Sequence, residues 1–111
     1  MNARLSDRAR HDLDLIYAQI FATRGAAGAD LFLDLARQAT EFIAKNPYAG
    51  PHPNWATRHQ TLRFWVISKT KFLIFYIPAE NEVSIERVLD GRKDVVRILE
   101  RGIEEPPEDA E

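Results

Sequence analysis

Length, composition and charge describe one ordinary globular domain and exclude several classes of protein. The chain has 111 residues, of which 45% are hydrophobic, enough for a single domain with its own core. It has no cysteine, which excludes a disulfide framework, a thiolate nucleophile and a cysteine-based metal site. No segment has the pattern of a signal peptide or of a membrane span, so we expect a cytoplasmic protein with no membrane partner.

The net charge of −2 conceals an uneven distribution of charge along the chain. Residues 104–111 contain five acidic side chains and neither Lys nor Arg, whereas residues 1–103 contain 15 basic and 12 acidic side chains. The pair Pro106-Pro107 and the lack of large apolar residues predict that residues 104–111 form a disordered acidic tail beyond a single domain of residues 1–103. Such a tail ordinarily promotes solubility, and the alternative is that it screens a basic surface from wrong partners.

Two helices are predicted in the first half of the chain, after a short edge strand at residues 2–5. Ser6 is a suitable N-cap for the first helix, and Asp7 complements the helix dipole. Apolar residues at helical spacing define one face of each helix. Residues 25–28 form the predicted connector, and the second helix begins near Ala29 and ends at Asn46, before Pro47. So short a link predicts an antiparallel helical hairpin.

Three short apolar runs follow a proline-rich loop at residues 47–60. The runs cover residues 62–67, 72–77 and 83–89 and are rich in Val, Ile, Phe, Trp and Tyr, as strands are. The polar segments 68–71 and 79–82 are short enough to form consecutive hairpins, and residues 92–101 resemble a short terminal helix. The predicted fold class is α+β, with the helical hairpin packed on a three- to four-stranded antiparallel sheet and a short C-terminal helix.

Strand alternation divides the first run between the two faces of the sheet. Leu62, Phe64 and Val66 share one face, and Arg63, Trp65 and Ile67 share the other. We expect the second face to be exposed or covered by a partner, which would make Trp65 and Ile67 an apolar patch in need of cover.

Basic residues within and beside the strands are the candidate binding residues. Together with Trp65 they are Arg63, Lys69, Lys71, Arg87, Arg92 and Lys93. Five of the seven have an alternative explanation: Arg63 and Arg87 pair with acids such as Glu86, Trp65 belongs to the core, and the cations of residues 92–101 form a solvated helix face. His52 and His59 lie in the loop without a third ligand, so we expect no metal site and no cofactor.

Several motifs along the chain resemble those of a known family. They are L-S-D-R-A-R-H-D-L-D-L-I at residues 5–16, F-I-A-K-N-P-Y-A-G at residues 42–50, F-L-I-F-Y at residues 72–76 and R-V-L-D-G-R-K-D at residues 87–94. In order and spacing they resemble the ParE/RelE toxin superfamily, and its ParE branch in particular, over roughly residues 4–100.

This resemblance implies a toxin of a bacterial type II toxin–antitoxin system, which serves plasmid stabilisation or growth inhibition. It implies a cognate ParD-like antitoxin as partner in a hetero-oligomer, with operator DNA bound only through the antitoxin. Members of the ParE branch inhibit DNA gyrase, whereas members of the RelE branch cut mRNA on the ribosome.

The residues beyond Tyr76 bear on the choice between these two activities. Cleavage of RNA at a 2′-OH needs a base, a cation and an acid, yet this part of the sequence has no His, Tyr or Trp. Asp90 stands where relatives often carry His, and Ile77 follows Tyr76 where relatives carry Arg. The sequence therefore favours gyrase inhibition by protein binding, without catalytic residues. The alternatives are a RelE-like ribosome-dependent mRNA endoribonuclease and a degenerate toxin that binds only its antitoxin.

Overall fold

The computed structural model describes residues 1–55 and 60–102, which form six elements. In chain order they are β1 (Asn2–Leu5), α1 (Asp7–Lys45), β2 (Arg63–Val66), β3 (Phe72–Pro78), β4 (Glu82–Asp90) and α2 (Val95–Gly102). This order confirms the predicted α+β class and the short C-terminal helix. His59 and the acidic residues 104–111 lie outside the described residues.

The ends of α1 are those that local sequence signals predict. Ser6 has extended backbone geometry, and its Oγ accepts a hydrogen bond from the Ala9 amide at 3.0 Å. The helix ends at Lys45, where Asn46 caps it and Pro47 follows. Although α1 is 39 residues long, no helix in residues 1–55 and 60–102 is long and apolar enough to cross a membrane.

Gly25 interrupts α1, but the predicted four-residue connector is wrong. Helical geometry continues on both sides of Gly25, which has φ 74° and ψ −173°. The Tyr17 hydroxyl donates to Asp30 Oδ1 at 3.0 Å, whereas a straight helix would separate residues 13 apart by about 20 Å. The two arms of α1 are therefore not collinear, and one glycine in left-handed geometry replaces the connector.

The four strands form one mixed sheet in the order β1-β4-β3-β2. The two hairpins β2–β3 and β3–β4 are antiparallel as predicted, and β1 is the predicted edge strand. β1 pairs with β4 in parallel, however, so the prediction of an antiparallel sheet is wrong for this strand. The two hairpins make β4 run in the same direction as β2, and β1, at the other end of the connection through α1, has that direction too.

Both faces of the sheet are covered, and α1 covers the face that we expected to be open. Ile67 is fully buried against the α1 core, which also holds Ile74 and Ile85, and Trp65 packs at its margin. The opposite face carries Leu62, Phe75 and Leu89 under Leu99 of α2. The expectation of an exposed Trp65–Ile67 patch is thus wrong, because alternation separates two faces without showing which one the helices take.

Candidate functional site

The turn between β2 and β3 presents Lys69 in an unusual backbone conformation. The Thr70 amide donates to the Ile67 carbonyl at 3.1 Å, so residues 67–70 form a tight turn with Lys69 in its third position. Lys69 has φ 66°, and a positive φ at this position is typical of a type II turn, which favours Gly or Asn. The Thr70 hydroxyl donates to Ile67 O and accepts from the Phe72 amide, which fixes the turn. The Lys69 side chain is therefore exposed on a turn that these hydrogen bonds fix, and the positive φ of Lys69 is strained.

We predict that Lys69→Gly stabilises the fold. Relief of roughly 1–2 kcal/mol of left-handed strain is partly offset by the greater freedom of glycine in the unfolded chain, so the net gain should be roughly 0.5–1 kcal/mol. Urea denaturation measures this difference. Lys71→Gly, next to this turn and without a positive φ, is the control and should not stabilise the fold. An equal effect of both substitutions would contradict the assignment of strain to Lys69.

The end of β4 lies beside this turn and holds a shared carboxylate. The Gly91 amide donates to Lys71 O at 2.8 Å and joins the two segments. Asp90 Oδ2 lies 3.4 Å from Lys71 Nζ and 3.3 Å from Arg92 Nη2, and Asp90 Oδ1 accepts from the Arg92 amide at 2.9 Å. Lys69, Lys71, Arg92 and Lys93 thus lie at one end of the sheet, which we call the cationic end.

Asp90 remains ionised under all physiological conditions. Burial acts to raise its pKa, but hydrogen bonds from the Arg92 side chain and amide, with the charges of Arg92 and Lys71, lower the pKa to about 2. Asp90, which stands where relatives often carry His, is therefore a negative charge that holds two of the four cations.

This lowered pKa predicts a loss of stability in acid. In the unfolded chain the pKa of an aspartate is about 3.9, so between pH 4 and pH 2 the unfolded state binds more protons than the folded state. The contribution of Asp90 is complete above about pH 4 and is lost as the pH falls through 2. Urea denaturation of the natural protein and of Asp90→Asn at pH 2–5 checks this prediction. The free energy of unfolding of the variant should decrease less steeply as the pH falls. Parallel curves for the two proteins would contradict the prediction.

Arg63 and Trp65 occupy a different place, on the edge strand β2. Arg63 Nη1 donates to Tyr48 O at 3.1 Å and Gly50 O at 2.7 Å, and its guanidinium lies over the Tyr48 ring. Trp65 stacks on Phe42 of α1 with ring centroids 4.8 Å apart. Arg63 therefore holds the loop after α1 against the sheet, and its contact with Tyr48 lies along this edge with the Trp65–Phe42 stack.

Arg87 is buried and paired, which separates it from the other candidates. Its Nε and Nη2 donate to Asp12 Oδ2 and Oδ1 at 2.7 and 2.9 Å, and Asp12 Oδ2 also accepts from the Val88 amide at 2.9 Å. Only 8% of each residue is exposed. This bidentate pair joins α1 to β4 and supports the fold, so Arg87 offers little surface to a partner.

Tyr76 and His52, two residues able to transfer protons, contact the loop before β2 and lie apart from the cationic end. Tyr76 is fully buried on β3, and its hydroxyl accepts a hydrogen bond from the Gly50 amide at 3.0 Å. Burial raises the pKa of Tyr76, although the Gly50 hydrogen bond and the Arg63 charge act to lower it. His52 Nδ1 lies 2.8 Å from Leu62 O in the loop before β2. Tyr76 is therefore a core tyrosine with a hydrogen-bonded hydroxyl.

Sequence reasoning did not single out Asp12, Phe42 or Tyr48 as partners of the candidate residues. Asp12 carried one usable signal: it follows buried Ala9 by three residues and precedes buried Ile16 by four, so it lies on the apolar face of α1. A charged residue at such a position requires a buried partner. Within residues 1–55 and 60–102, no group of three His, Cys, Asp or Glu residues has an arrangement that could hold a metal ion.

Comparisons with known proteins identify the family. A family model described as the ParE toxin of the type II toxin–antitoxin system parDE matches residues 3–95. A solved chain from the chromosomal ParDE TA system of P. aeruginosa superposes with a TM-score of 0.67 at 19% identity, over 79% of this chain and 92% of that chain. A search of proteins with curated descriptions finds no match. Because the family model spans most of the chain, this protein belongs to the ParE toxin family of type II toxin–antitoxin systems.

Proposed function

We propose that this chain is a toxin that inhibits DNA gyrase by binding to it and that a cognate ParD-like antitoxin neutralises it. Membership of the ParE family supports a toxin with an antitoxin partner. One observation carries the choice of a non-catalytic mechanism: the carboxylate of Asp90 lies between Lys71 and Arg92 at the cationic end. A permanent anion there competes with RNA phosphate for the same cations.

The chemistry available at this end supports binding more than RNA cleavage. Cleavage requires a proton acceptor within hydrogen-bond reach of the 2′-OH and a donor for the leaving oxygen. Tyr76 is buried in the core and His52 lies against Leu62, whereas the exposed Tyr48 contacts Arg63 beside the edge strand β2. Tyr17 and His11 belong to α1. Ionised Asp90 has a pKa of about 2, which makes it a poor base near pH 7.

The contact surface for gyrase, in this proposal, is centred on the exposed cations of the cationic end. Lys69 and Lys93 project from two adjacent turns, and Lys71 and Arg92 keep the orientation that Asp90 gives them. Arg63 and Trp65 contribute at the edge of β2, where Arg63 also positions the loop. Arg87 acts indirectly, by holding β4 against α1 through Asp12.

The antitoxin, in turn, covers apolar surface that the isolated chain exposes. In this proposal the two arms of α1 form a helical hairpin, and a C-terminal antitoxin segment wraps it and the sheet edge. Large apolar side chains with at least 41% exposure lie there, namely Leu15, Phe21, Leu31, Leu33, Phe42, Tyr48 and Val66. Acidic antitoxin residues meet the cations, and the resulting cytoplasmic hetero-oligomer reaches operator DNA through the antitoxin.

A gyrase supercoiling assay with purified protein tests the proposal. The chain should inhibit supercoiling at micromolar concentration, and Lys69→Glu/Lys93→Glu should require at least 10-fold more toxin, a loss of about 1.4 kcal/mol in binding. Arg24→Glu/Arg37→Glu is the matched control, because both side chains are exposed on α1 and the double reversal changes the net charge by the same amount. A ribosome cleavage assay is carried out in parallel. Codon-dependent cuts in mRNA without gyrase inhibition would show that the chain is a RelE-like endoribonuclease instead. Inactivity in both assays would favour a degenerate toxin.

A further inference from the structure

The edge strand β2 carries a positive charge that the described residues do not neutralise. The guanidinium of Arg63 forms no ion pair with any acid in the part of the chain that the structure describes. Residues 42–79 contain five Lys or Arg side chains and no Asp or Glu. The acids that flank this stretch, Glu41 on α1 and Glu80 after β3, are exposed, and neither lies within ion-pair distance of Arg63. Among the described residues Arg63 therefore has no counter-charge.

The guanidinium of Arg63 is held through one nitrogen, and its other two nitrogens stay open. Nη1 donates to the carbonyls of Tyr48 and Gly50 at 3.1 and 2.7 Å, which fixes the orientation of the group. No described residue accepts a hydrogen bond from Nε or Nη2 of Arg63. In Arg87 these same two nitrogens bind the two oxygens of Asp12. An external carboxylate can therefore form with Arg63 the bidentate pair that Asp12 forms with Arg87.

Aromatic side chains surround this guanidinium. It lies 5.1 Å from the centroid of the Tyr48 ring, and Tyr48 is 67% exposed. Trp65, two residues along β2 on the same face, stacks on Phe42, which is 41% exposed. Trp, Tyr and Arg are the residue types that most often carry the binding energy of a protein interface. We call this surface the Arg63 edge, and it comprises Phe42, Tyr48, Arg63 and Trp65.

The backbone of β2 is already paired beside Arg63, which limits how a partner can be recognised there. The Phe64 amide donates to Pro51 O at 3.1 Å, so the loop after α1 covers this part of the strand edge. A partner is therefore bound through side chains and not by addition of a strand. β2 carries only one charge, whereas a groove for a nucleic-acid strand follows the phosphates with several cations. The Arg63 edge thus suits a peptide with one acidic and one apolar side chain.

We infer that the Arg63 edge binds a carboxylate side chain of the antitoxin, with an adjacent apolar residue of the antitoxin packed on Trp65 and Phe42. This inference rests on the proposed function, which supplies the antitoxin as the occupant. An acidic segment is complementary to residues 42–79, which contain five cations and no acid. Because the proposed gyrase surface includes Arg63 and Trp65, the antitoxin neutralises the toxin by occupying two of the same side chains.

Nuclear magnetic resonance of the full-length chain with two blocked tripeptides tests the inference. The acidic probe is acetyl-Glu-Leu-Phe-amide, and its matched control has Gln in place of Glu. At low salt the acidic peptide should bind about 5-fold more tightly, as an ion pair near the surface allows, and should shift the Arg63 Nε–H and Trp65 indole resonances. Equal binding of the two peptides overturns the inference. So does tighter binding of an oligothymidylate at the same resonances, because the site would then be one for nucleic acid.

Substitution of Arg63 shows whether this side chain causes the preference for the acidic peptide. In Arg63→Gln the two peptides should bind equally, and their ratio is unaffected if the lost loop contacts weaken both. Arg63→Lys keeps the charge without the bidentate geometry, so a preference of about 2-fold should remain. Lys69→Gln removes an exposed cation from the turn at the other end of β2 and is the matched control, with the preference unchanged. A preference that persists in Arg63→Gln, or that falls equally in Lys69→Gln, overturns the inference.

The peptide experiment and the supercoiling assay give independent answers. A chain that inhibits gyrase but binds the two peptides equally overturns this inference and leaves the proposed function in place. A chain that prefers the acidic peptide but does not inhibit gyrase supports the inference and removes gyrase as the target.

Discussion

Replacing Asp12 by alanine should destabilise the fold by about 3–5 kcal/mol, because a buried charge loses its partner. Asp12 accepts three hydrogen bonds, two from the Arg87 guanidinium and one from the Val88 amide, all between 2.7 and 2.9 Å. In Asp12→Ala the guanidinium stays buried without a counter-charge, and the Val88 amide loses its acceptor. Urea or guanidinium denaturation measures the change, which is a large fraction of the about 5–15 kcal/mol typical of a domain.

Two comparisons separate the buried pair from an ordinary ion pair. Asp34→Ala removes the exposed partner of Arg37 and should change the stability by less than about 0.5 kcal/mol. Asp12→Ala/Arg87→Met should be more stable than Asp12→Ala alone, since no buried charge is left unpaired. If Asp12→Ala behaves like Asp34→Ala, the pair does not join α1 to β4 as the structure indicates.

The Asp12 result also bears on how activity data should be interpreted. Arg87 belongs to the residues that the sequence nominated for binding, yet its guanidinium is directed to α1. A loss of toxicity in Arg87→Ala would therefore follow from unfolding, and a thermal melt of the purified variant would show it. By contrast, Lys69 and Lys93 are exposed, so their substitution tests binding without loss of the fold.

Local signals predicted most of the elements, whereas the pairing of β1 depended on the whole topology. Ser6 marked the start of α1, Asn46-Pro47 marked its end, and alternating apolar runs marked the strands. The four residues of β1 do not show whether this strand is parallel or antiparallel to its neighbour. That direction depends on the path of the chain through α1 to the rest of the sheet. The interruption of α1 was also located correctly at Gly25, but nothing in residues 25–28 shows that a single residue is sufficient.

Some features of the candidate site were likewise predictable from local sequence, and others depend on contacts between distant residues. The cations of residues 69–71 and 92–93 are close in space because the predicted turn at residues 68–71 adjoins the end of β4. The pairing of Arg87 with Asp12 joins residues 75 positions apart, and no periodicity in the sequence connects them. The assignment of sheet faces failed for a related reason: both faces of β2 and β3 are apolar, and a hydrophobic pattern cannot rank two faces that are both buried.

Gly50→Ala should destabilise the fold by about 3 kcal/mol, the cost of overpacking combined with lost hydrogen bonds. A Cβ at this position would lie 2.5 Å from the Tyr76 hydroxyl and would also collide with the Phe64 carbonyl. The backbone of Gly50 donates to Tyr76 and accepts from Arg63, so moving it away breaks both contacts. Thermal or urea denaturation of the purified variant measures the loss.

Two further variants show whether the close approach of Gly50 causes this loss. Gly25→Ala has no atom within 4 Å of its new Cβ, but φ 74° with ψ −173° is a conformation essentially restricted to glycine, so backbone strain of roughly 1–3 kcal/mol is expected. Gly50→Ala/Tyr76→Phe removes the hydroxyl from the collision and leaves the Phe64 carbonyl, which belongs to the backbone and cannot rotate away. The second substitution should therefore restore little stability. A full recovery would mean that Tyr76 alone limits the space, and that the loop is not held against β2 through Gly50.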